Sequence, residues 1–177
     1  IDTIEDINLV SENSICFTDS SQYHAYKEIF LDECYWEDSY SNIYKDSTVL
    51  DIGSNCGMFS LFAVERGASK VYSFEPIRDS FILTSHNTKD YRDIIIPINA
   101  GVSDKDEWKK ISVDWMGMGI STNERFPAGI EEMDKNKTDS YRAEFWPPNS
   151  IFDRLNLTDG ADIVKLDCEG GEFEFFE

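Results

Sequence analysis

The sequence predicts an α/β protein built on a doubly wound, mostly parallel sheet. Residues 49–52 form an apolar run that ends at closely spaced glycines, and residues 58–64 follow with the spacing of a helix. Apolar runs recur at residues 71–74, 94–98 and 162–167, each ending in a polar turn. Apolar runs that alternate with helical patterns are typical of β-α-β units, whose strands are parallel.

Composition places the chain among folded globular proteins. Its 177 residues are enough for one domain with a sizeable core, and 41% hydrophobic and 14% aromatic residues exclude wholesale disorder. The net charge of −19, from 35 acids against 16 bases, would repel phosphate backbones and argues against general nucleic-acid binding. No apolar run reaches about 18 residues, so we expect no membrane span.

The cysteines and histidines do not indicate a metal site. No C-x-x-C spacing occurs, and the two cysteines that lie inside motifs fit small buried residues better than nucleophiles. Because free thiols suit a reducing compartment, we expect a cytoplasmic setting. The residues concerned are Cys16, Cys34, Cys56, Cys168, His24 and His86.

Residues 1–46 are predicted to form an N-terminal arm and a helix. Residues 1–19 hold short apolar pieces that fit a hairpin or an irregular arm. Apolar residues at helical spacing over 21–34, after a serine pair that can cap a helix, predict the helix. The aromatic residues Tyr35 and Trp36 either border a ligand or pack against the sheet, and packing is favoured.

The first core strand, residues 47–52, leads into the segment around which the chain is organised. Asp51 lies near the end of the apolar run, and Gly53, Asn55 and Gly57 follow at two-residue intervals before a helix. Glycine lets the backbone turn tightly and approach a ligand, and the start of a helix presents unpaired N–H groups. This order indicates a nucleotide-type binding site.

The charges near this segment indicate which ligand it takes. Asp51 lies on the strand itself, where it would repel a pyrophosphate and attract an amine or a sulfonium. About 20 residues later the second strand, residues 70–74, ends at Glu75, and an acid at that offset commonly accepts hydrogen bonds from ribose hydroxyls. We therefore expect a ribose-bearing cofactor without a pyrophosphate, and S-adenosylmethionine fits best.

The third strand is predicted to lie at an edge of the sheet. Pro97 falls within residues 94–98 and cannot donate to a strand ladder, which favours an edge position. Asn99, at the exit of this strand, is a candidate for contact with the adenine end of the cofactor. Residues 79–89, between the second and third strands, are predicted to form a helix in which Asn87 has a structural role.

Residues 105–149 are not predicted to be a crossover helix. Residues 108–114 alternate as a strand does, residues 124–138 are polar and charged, and the segment 145–148 ends in two prolines. A long irregular stretch in a compact domain is often functional. We interpret it as a substrate-side insertion or lid, and a plain surface loop is an equally favoured alternative.

The fourth strand, residues 162–167, completes the predicted sheet. A short helix at residues 150–155 precedes it, with Asn149 or Ser150 as its cap. The sequence stops at residue 177, early in the next predicted helix. Because the sequence stops inside a predicted helix, we expect a fragment of a longer protein with an exposed strand edge.

Three segments, in this order, resemble motifs of the FkbM-type S-adenosylmethionine-dependent methyltransferases. The family's D-x-G-A-N-x-G is matched at residues 51–57, F-E-P at residues 74–76, and K-x-D-x-E-G-x-E at residues 165–172. Ser54 and Gly171 stand where alanine is usual, and neither change removes a functional side chain. The resemblance implies a Rossmann-like class I methyltransferase fold and O-methylation, often of sugar or polyketide hydroxyls.

The carboxyl end of the fourth strand supplies the predicted chemistry. Asp167 and Glu169 would face the methyl group, and either could act as general base or orient the acceptor. The alternative is that Asp167 contacts only the cofactor amine and that Glu169 caps the next helix. For Glu169, this capping role is favoured over a catalytic one. The predicted cofactor-binding residues are Asp51, Gly53, Asn55 and Gly57 for the methionine part, Glu75 for the ribose, Asn99 and Asp167.

Two functions compete with a methyltransferase that acts on a hydroxyl of a small molecule or glycan. An NAD-dependent oxidoreductase could use the same strand, turn and helix, but the sequence has no G-x-G-x-x-G to hold a pyrophosphate. A non-catalytic module that keeps the cofactor pocket is more credible for a truncated chain. We expect the S-adenosylmethionine-binding methyltransferase domain to span residues 47–177.

Overall fold

The computed structural model describes residues 10–12, 15–17, 20–35, 42–113, 119–121 and 139–168. Its strands are β1 (Val10–Glu12), β2 (Ile15–Phe17), β3 (Thr48–Ile52), β4 (Lys70–Phe74), β5 (Ile95–Ile98), β6 (Gly101–Val102), β7 (Glu107–Val113), β8 (Gly119–Ser121), β9 (Asp139–Trp146) and β10 (Ile163–Leu166). Its helices are α1 (Ser20–Tyr26), which continues as a π-helical turn (Lys27–Leu31), α2 (Met58–Glu65), α3 (Arg78–Asn87), a 3-10 turn (Lys89–Tyr91) and α4 (Pro148–Arg154).

The centre of the fold is a four-stranded parallel sheet with the strand order β10-β3-β4-β5. The chain runs outward from β3 to β5 and then returns to the opposite side of β3 as β10. Open α/β sheets bind ligands beyond the carboxyl ends of their strands, at the point where the strand order reverses. That point lies between β3 and β10. The predicted parallel sheet is confirmed, and so is the edge position of β5, which contains Pro97.

Helices cover both faces of this sheet, which confirms the doubly wound arrangement. Because side chains alternate along a strand, Val49 packs into a core with α2, whereas Leu50 and Ile52 pack into a second core with Ile151 of α4. The N-terminal arm joins the first core, where Tyr26 is buried together with α2 residues. The central strands are therefore shielded from solvent on both sides.

A second sheet, with the strand order β6-β9-β7-β8, follows the parallel sheet. The strand predicted at residues 108–114 is confirmed as β7. The expectation that the rest of this region lacks regular structure is wrong for residues 139–146, because β9 pairs antiparallel with β7 along its length and parallel with β6. Residues 124–138 lie outside the described part of the chain.

The helix before β10 begins earlier than predicted. Asn149 and Ser150 are not its cap, because α4 starts at Pro148, with Pro147 in the capping position and no side-chain cap. Proline suits the first helical turn, since its missing N–H would have no intrahelical partner there. Ser150 instead donates from Oγ to Asp106 Oδ1, at 3.3 Å.

Within the described residues, no helix combines the length and the apolar character needed to cross a bilayer.

Candidate functional site

The glycine turn between β3 and α2 is built on left-handed backbone. Gly53, Asn55 and Gly57 have φ of 78°, 51° and 85°, a region that favours glycine and tolerates asparagine. The N–H groups of Gly53 and Ser54 both donate to the carbonyl of Phe74, at 3.0 and 2.9 Å. The turn is thereby fixed to the end of β4, at the carboxyl edge of the sheet.

Gly53 also lies directly against the exit of β10. A Cβ on this residue would lie 1.9 Å from the backbone oxygen of Asp167, which no side chain could tolerate. Gly57 is less constrained sterically, since its Cβ would meet methyl groups of Thr84 and Thr88 at 3.2 Å and the Thr84 Cα at 3.5 Å. The first glycine is therefore required by close packing between β3 and β10, and the second by its backbone angle.

Asp51 sits in a buried polar row that crosses three strands. It is fully buried, and strand register places Lys165 of β10 on one side of it and Ser73 of β4 on the other. Ser60, from α2, donates to Asp51 Oδ2 at 2.7 Å, and its oxygen lies 2.9 Å from Ser73 Oγ. Asp51 is thus held inside the sheet rather than at its rim.

Lys165 is the cation of this row, and its side chain is only 10% exposed. Its ammonium lies 3.3 Å from Asp51 Oδ1 and 3.5 Å from Asp167 Oδ2, and it donates to the carbonyl of Gly53 at 2.8 Å. Burial alone would lower the pKa of Lys165, but attraction to Asp51 and Asp167 raises it above its ordinary value. Lys165 therefore stays charged among these groups.

Glu75 follows β4 and is also buried. Its Oε2 accepts from the N–H of Asn55 and its Oε1 from the N–H of Ile77, both at 2.8 Å. Burial raises the pKa of Glu75 to about 7, while the two backbone N–H groups and the Lys165 charge oppose the rise. The carboxyl group therefore changes protonation near neutral pH, and each oxygen keeps a lone pair for a further donor.

The two asparagines of the predicted site form hydrogen bonds with different parts of the fold. Asn55 accepts at Oδ1 from Gln22 Nε2 (3.1 Å) and at its backbone oxygen from Thr84 Oγ1 (2.5 Å), so it ties the turn to α1 and α3. Asn99 is exposed, and its amide donates to the carbonyls of Glu75 (2.8 Å) and Pro76 (3.3 Å). Asn99 therefore braces the exit of β4, next to Glu75.

Asp167 marks the open side of the site, with 64% of its side chain exposed. Tyr35 lies nearby at the end of the arm, where its ring meets Phe59 edge-on with 5.0 Å between centroids. Burial raises the pKa of the Tyr35 phenol, the Lys165 charge lowers it, and the Asp167 charge raises it. Tyr35 therefore packs against helix α2 rather than against the sheet, and it borders the charged cluster.

Most of the predicted residues come together at one edge of the sheet. Asp51, Gly53, Asn55, Glu75 and Asp167 surround the carboxyl ends of β3, β4 and β10. Trp36 and Glu169 lie outside the described residues.

The remaining sequence expectations concern Asn87 and the cysteines. Asn87 is structural as predicted, because it bonds the backbone of Cys16 and the carbonyl of Cys56. Cys56 is buried and Cys168 half-buried. The described residues contain no cluster of three or more metal-ligating side chains.

Comparison with known proteins identifies the family. The model of the FkbM methyltransferase domain matches residues 51–177. The chain belongs to the FkbM methyltransferase family. The match begins at Asp51, and its range includes every predicted site residue.

Individual relatives of this FkbM domain match shorter stretches. Protein arginine N-methyltransferase 8-B of Danio rerio is 31% identical in an alignment of 112 positions that covers 57% of this chain and 27% of that protein. The antimetabolite synthetase AmbE of Pseudomonas aeruginosa is 42% identical in an alignment of 55 positions that covers 30% of this chain and 2% of that protein. The chain thus spans only a small part of these two curated relatives.

Among solved structures, the PRMT1 enzyme–prozyme complex of Trypanosoma brucei with AdoHcy aligns at a TM-score of 0.30 and 28% identity. The alignment covers 44% of this chain and 27% of that one.

The side chains of this FkbM domain fit a ribose-bearing cofactor. Glu75 offers two buried carboxylate oxygens, each with a free lone pair, at the place where ribose hydroxyls would donate. The nearby acids would repel a pyrophosphate. The site would accordingly hold S-adenosylmethionine through the glycine turn and Glu75.

Sequence reasoning missed Lys165, Ser60 and Ser73. Ser60 and Ser73 look like ordinary small core residues in their own segments. Lys165 stands in the third motif, but its role depends on β10 pairing with β3 in a register that sets it beside Asp51. A lone lysine inside an apolar strand was the available signal, because a buried lysine requires a carboxylate partner.

Proposed function

We propose that this chain is the cofactor-binding part of an S-adenosylmethionine-dependent methyltransferase that methylates a hydroxyl group of a small molecule or glycan. One observation carries the proposal: the glycine turn is hydrogen-bonded to Glu75 through the Asn55 N–H. This contact lies near the point where the strand order of the FkbM domain reverses. A ribose acceptor and the glycine turn are thereby joined at the place where such sheets bind ligands.

The proposed cofactor contacts follow the positions of the side chains. Glu75 would accept hydrogen bonds from the ribose hydroxyls, and Asn99, beside it, borders the adenine end. Gly53, Asn55 and Gly57 would line the methionine part, close to Asp51.

When bound, S-adenosylmethionine supplies a methyl group already activated by its sulfonium. The protein then has to hold an acceptor oxygen in line with that methyl and accept the hydroxyl proton. Asp167 is the described carboxylate on the open side of the site, and Glu169 lies two residues further along. We assign the general-base or acceptor-orienting role to one of these two acids.

The position of Lys165 supports a neutral acceptor. Lys165 Nζ lies 3.5 Å from Asp167 Oδ2 and 3.3 Å from Asp51 Oδ1, so a cation already contacts both of these carboxylates. A guanidinium acceptor would bring a second cation against this lysine. A hydroxyl adds no charge. One relative is named a protein arginine methyltransferase, so an arginine acceptor is the alternative to test.

We also propose that residues 47–177 form the catalytic domain and that the arm, residues 1–46, functions with it. The supporting contacts are Gln22 to Asn55 in the glycine turn and the Asn87 bonds to Cys16. The free thiols of the chain suit the reducing cytoplasm.

Calorimetric titration with S-adenosylhomocysteine, the demethylated product, tests the cofactor assignment. We expect micromolar binding to the wild-type chain and a loss of roughly tenfold or more in Glu75→Ala, because two backbone N–H groups and the ribose would lose their acceptor. Asp90→Ala, which removes an exposed carboxylate in the 3-10 turn, is the matched control and should bind normally. Absence of binding to folded wild-type protein would contradict the assignment.

Methyl transfer from a labelled donor tests the acceptor. Neutral oligosaccharides and polyketide alcohols should yield a base-stable methyl ether, whereas a carboxyl acceptor would yield a base-labile ester. Arginine-rich peptides serve as the competing substrates. Label on arginine alone would replace the hydroxyl proposal with guanidine methylation, and binding of S-adenosylhomocysteine without transfer to any acceptor would favour a non-catalytic module.

A further inference from the structure

A lysine ammonium already occupies the place beside Asp51 where a cofactor cation was expected. Asp51 and Lys165 are cross-strand neighbours in β3 and β10. Asp51 is buried, the Lys165 side chain is only 10% exposed, and their charged atoms lie 3.3 Å apart. The other oxygen of Asp51 accepts from Ser60. Neither oxygen faces solvent, so a cofactor amine could reach this carboxylate only by displacing a protein group.

We propose that Lys165 is a positioning residue that serves as the resident counter-ion of Asp51, so that Asp51 acts on the cofactor through Lys165 and the glycine turn rather than by direct contact. The inference rests on the proposed function, and it assigns Asp51 a different role from the one its sequence position suggests.

The need for a counter-ion follows from burial. An unpaired carboxylate in a dry interior is strongly unfavourable, and one serine hydroxyl supplies a single hydrogen bond. Among the described residues, Glu75 and Tyr35 also interact electrostatically with Asp51, and neither is a cation. Lys165 is the described cation that pairs with the Asp51 carboxylate.

The route from Lys165 to the cofactor runs through the turn. Its ammonium donates to the carbonyl of Gly53 at 2.8 Å, and this fixes the peptide at the start of the turn. Two residues later, the Asn55 N–H donates to Glu75. A change at Asp51 or Lys165 would therefore move the glycine turn and Glu75 together, so that binding of the ribose would be affected as well as binding of the methionine part.

Two ligands separate this positioning role from direct contact. S-adenosylhomocysteine carries the amino-acid ammonium, and 5′-methylthioadenosine lacks it while keeping the adenine, the ribose and the sulfur. We expect Asp51→Asn to weaken both ligands by the same factor, about tenfold or more. Loss of affinity for S-adenosylhomocysteine alone would show direct contact with the ammonium and would overturn the inference.

Asp162→Asn is the matched control. Its carboxylate accepts from the Thr48 N–H at 2.7 Å, at the opposite end of the same β10–β3 pair. This variant should bind both ligands as the wild type does.

A double-mutant cycle tests whether Asp51 acts through Lys165. We expect Asp51→Asn with Lys165→Met to bind S-adenosylhomocysteine no more weakly than the weaker single variant, because both changes break one linkage. Losses that multiply in the double variant would mean independent contacts and would contradict the proposal.

Unfolding in urea decides the counter-ion role without any ligand. Lys165→Met should lower the unfolding midpoint, and adding Asp51→Asn should raise it again, because the double variant leaves no buried charge unpaired. Failure of the double variant to recover would overturn the counter-ion role. If the wild type bound neither ligand, the proposed function and the cofactor part of this inference would fall, while these unfolding results would still decide the counter-ion part.

Discussion

The parallel sheet β10-β3-β4-β5 and the second sheet β6-β9-β7-β8 differ in how completely they are buried. The parallel sheet has an apolar core on each face. The second sheet contributes a small cluster of Ile111, Ala143 and Phe145, packed against Ile77, and it leaves Trp108 58% exposed.

This difference explains where a charged site can be built. A dry and rigid surrounding strengthens the interactions of charged groups and fixes their distances. Of the two described sheets, the parallel sheet provides such a surrounding. The second sheet attaches beside Ile77, two residues after Glu75, and so it borders the site without forming it. Changes in the parallel sheet should therefore affect both stability and cofactor binding, and changes in the second sheet stability alone.

The largest expected effect is that of Gly53→Ala, at the contact of β3 with β10. The added Cβ would lie 1.9 Å from a backbone oxygen, in a residue with φ of 78°, so we expect a loss of about 3 kcal/mol or more in unfolding free energy and loss of S-adenosylhomocysteine binding. Gly160→Ala is the control, because its φ is 83° and its Cβ would meet nothing within 4 Å. It should cost only about 1–2 kcal/mol. Equal losses in urea unfolding would contradict the packing argument.

Gly101→Ala tests the second sheet in the same way. Its Cβ would lie 2.3 Å from the ring of Phe145, and this ring is buried and has little room to move. We expect about 1–3 kcal/mol of destabilisation from overpacking, measured by urea unfolding, with unchanged affinity for S-adenosylhomocysteine. A loss of affinity as large as that of Gly53→Ala would mean that the second sheet forms part of the cofactor site.

The pH dependence of cofactor binding sharpens the role of Glu75. If ribose hydroxyls donate to Glu75, its ionised form binds better. Because its pKa is raised to about 7, affinity for S-adenosylhomocysteine should rise roughly tenfold between about pH 6 and pH 8. Calorimetry should show this rise in the wild type and in the exposed control Glu65→Gln. A rise that persists in Glu75→Gln would assign the titration to another group.

The same carboxyl group affects stability in the opposite direction. Its pKa is higher in the folded chain than the ordinary value of 4.5, so the folded state binds the proton more tightly. The stabilisation is therefore complete below about pH 4.5 and is lost as the pH rises to about 7. In urea unfolding, the unfolding free energy of the wild type should therefore fall across this pH range relative to that of Glu75→Gln.

The smallest effect is expected for Arg154→Ala at the junction of α4 with β9. Arg154 pairs with Asp106 and Glu144 and lies over the Trp146 ring at 4.3 Å, but it is exposed to solvent. We expect a loss of about 0.5–1 kcal/mol in urea unfolding that shrinks in high salt. The exposed Arg92→Ala should show no loss. A salt-independent loss would indicate packing rather than charge.

Sequence predicted the parallel sheet better than the second sheet, for a physical reason. Strands buried on both faces appear as apolar runs, and the glycine turn and Glu75 follow them at fixed offsets, so local pattern was enough. In strand β9, Ala143 and Phe145 are buried and Arg142 is exposed, but the partner strand β7 is separated from it in sequence by residues 114–138. Nothing local in residues 139–146 indicated that pairing.

The same limit applies to the site. Asp51 and Glu75 could be found by spacing, but the burial of Asp51 and its pairing with Lys165 could not. Lys165 reaches the carbonyl of Gly53 across 112 residues of sequence, and that contact exists only because β10 returns to the side of β3. The sequence predicted which acids lie at this edge of the sheet, and the strand order decided what each contacts.

Hydrogen–deuterium exchange with and without S-adenosylhomocysteine tests the central claim most directly, because it compares both sheets in one sample. We expect bound S-adenosylhomocysteine to slow amide exchange at residues 51–57 and 74–77, where the glycine turn meets Glu75. Exchange at residues 107–113 and 139–146 should stay unchanged. Added protection in the second sheet, with none at the glycine turn, would contradict the assignment of the cofactor site.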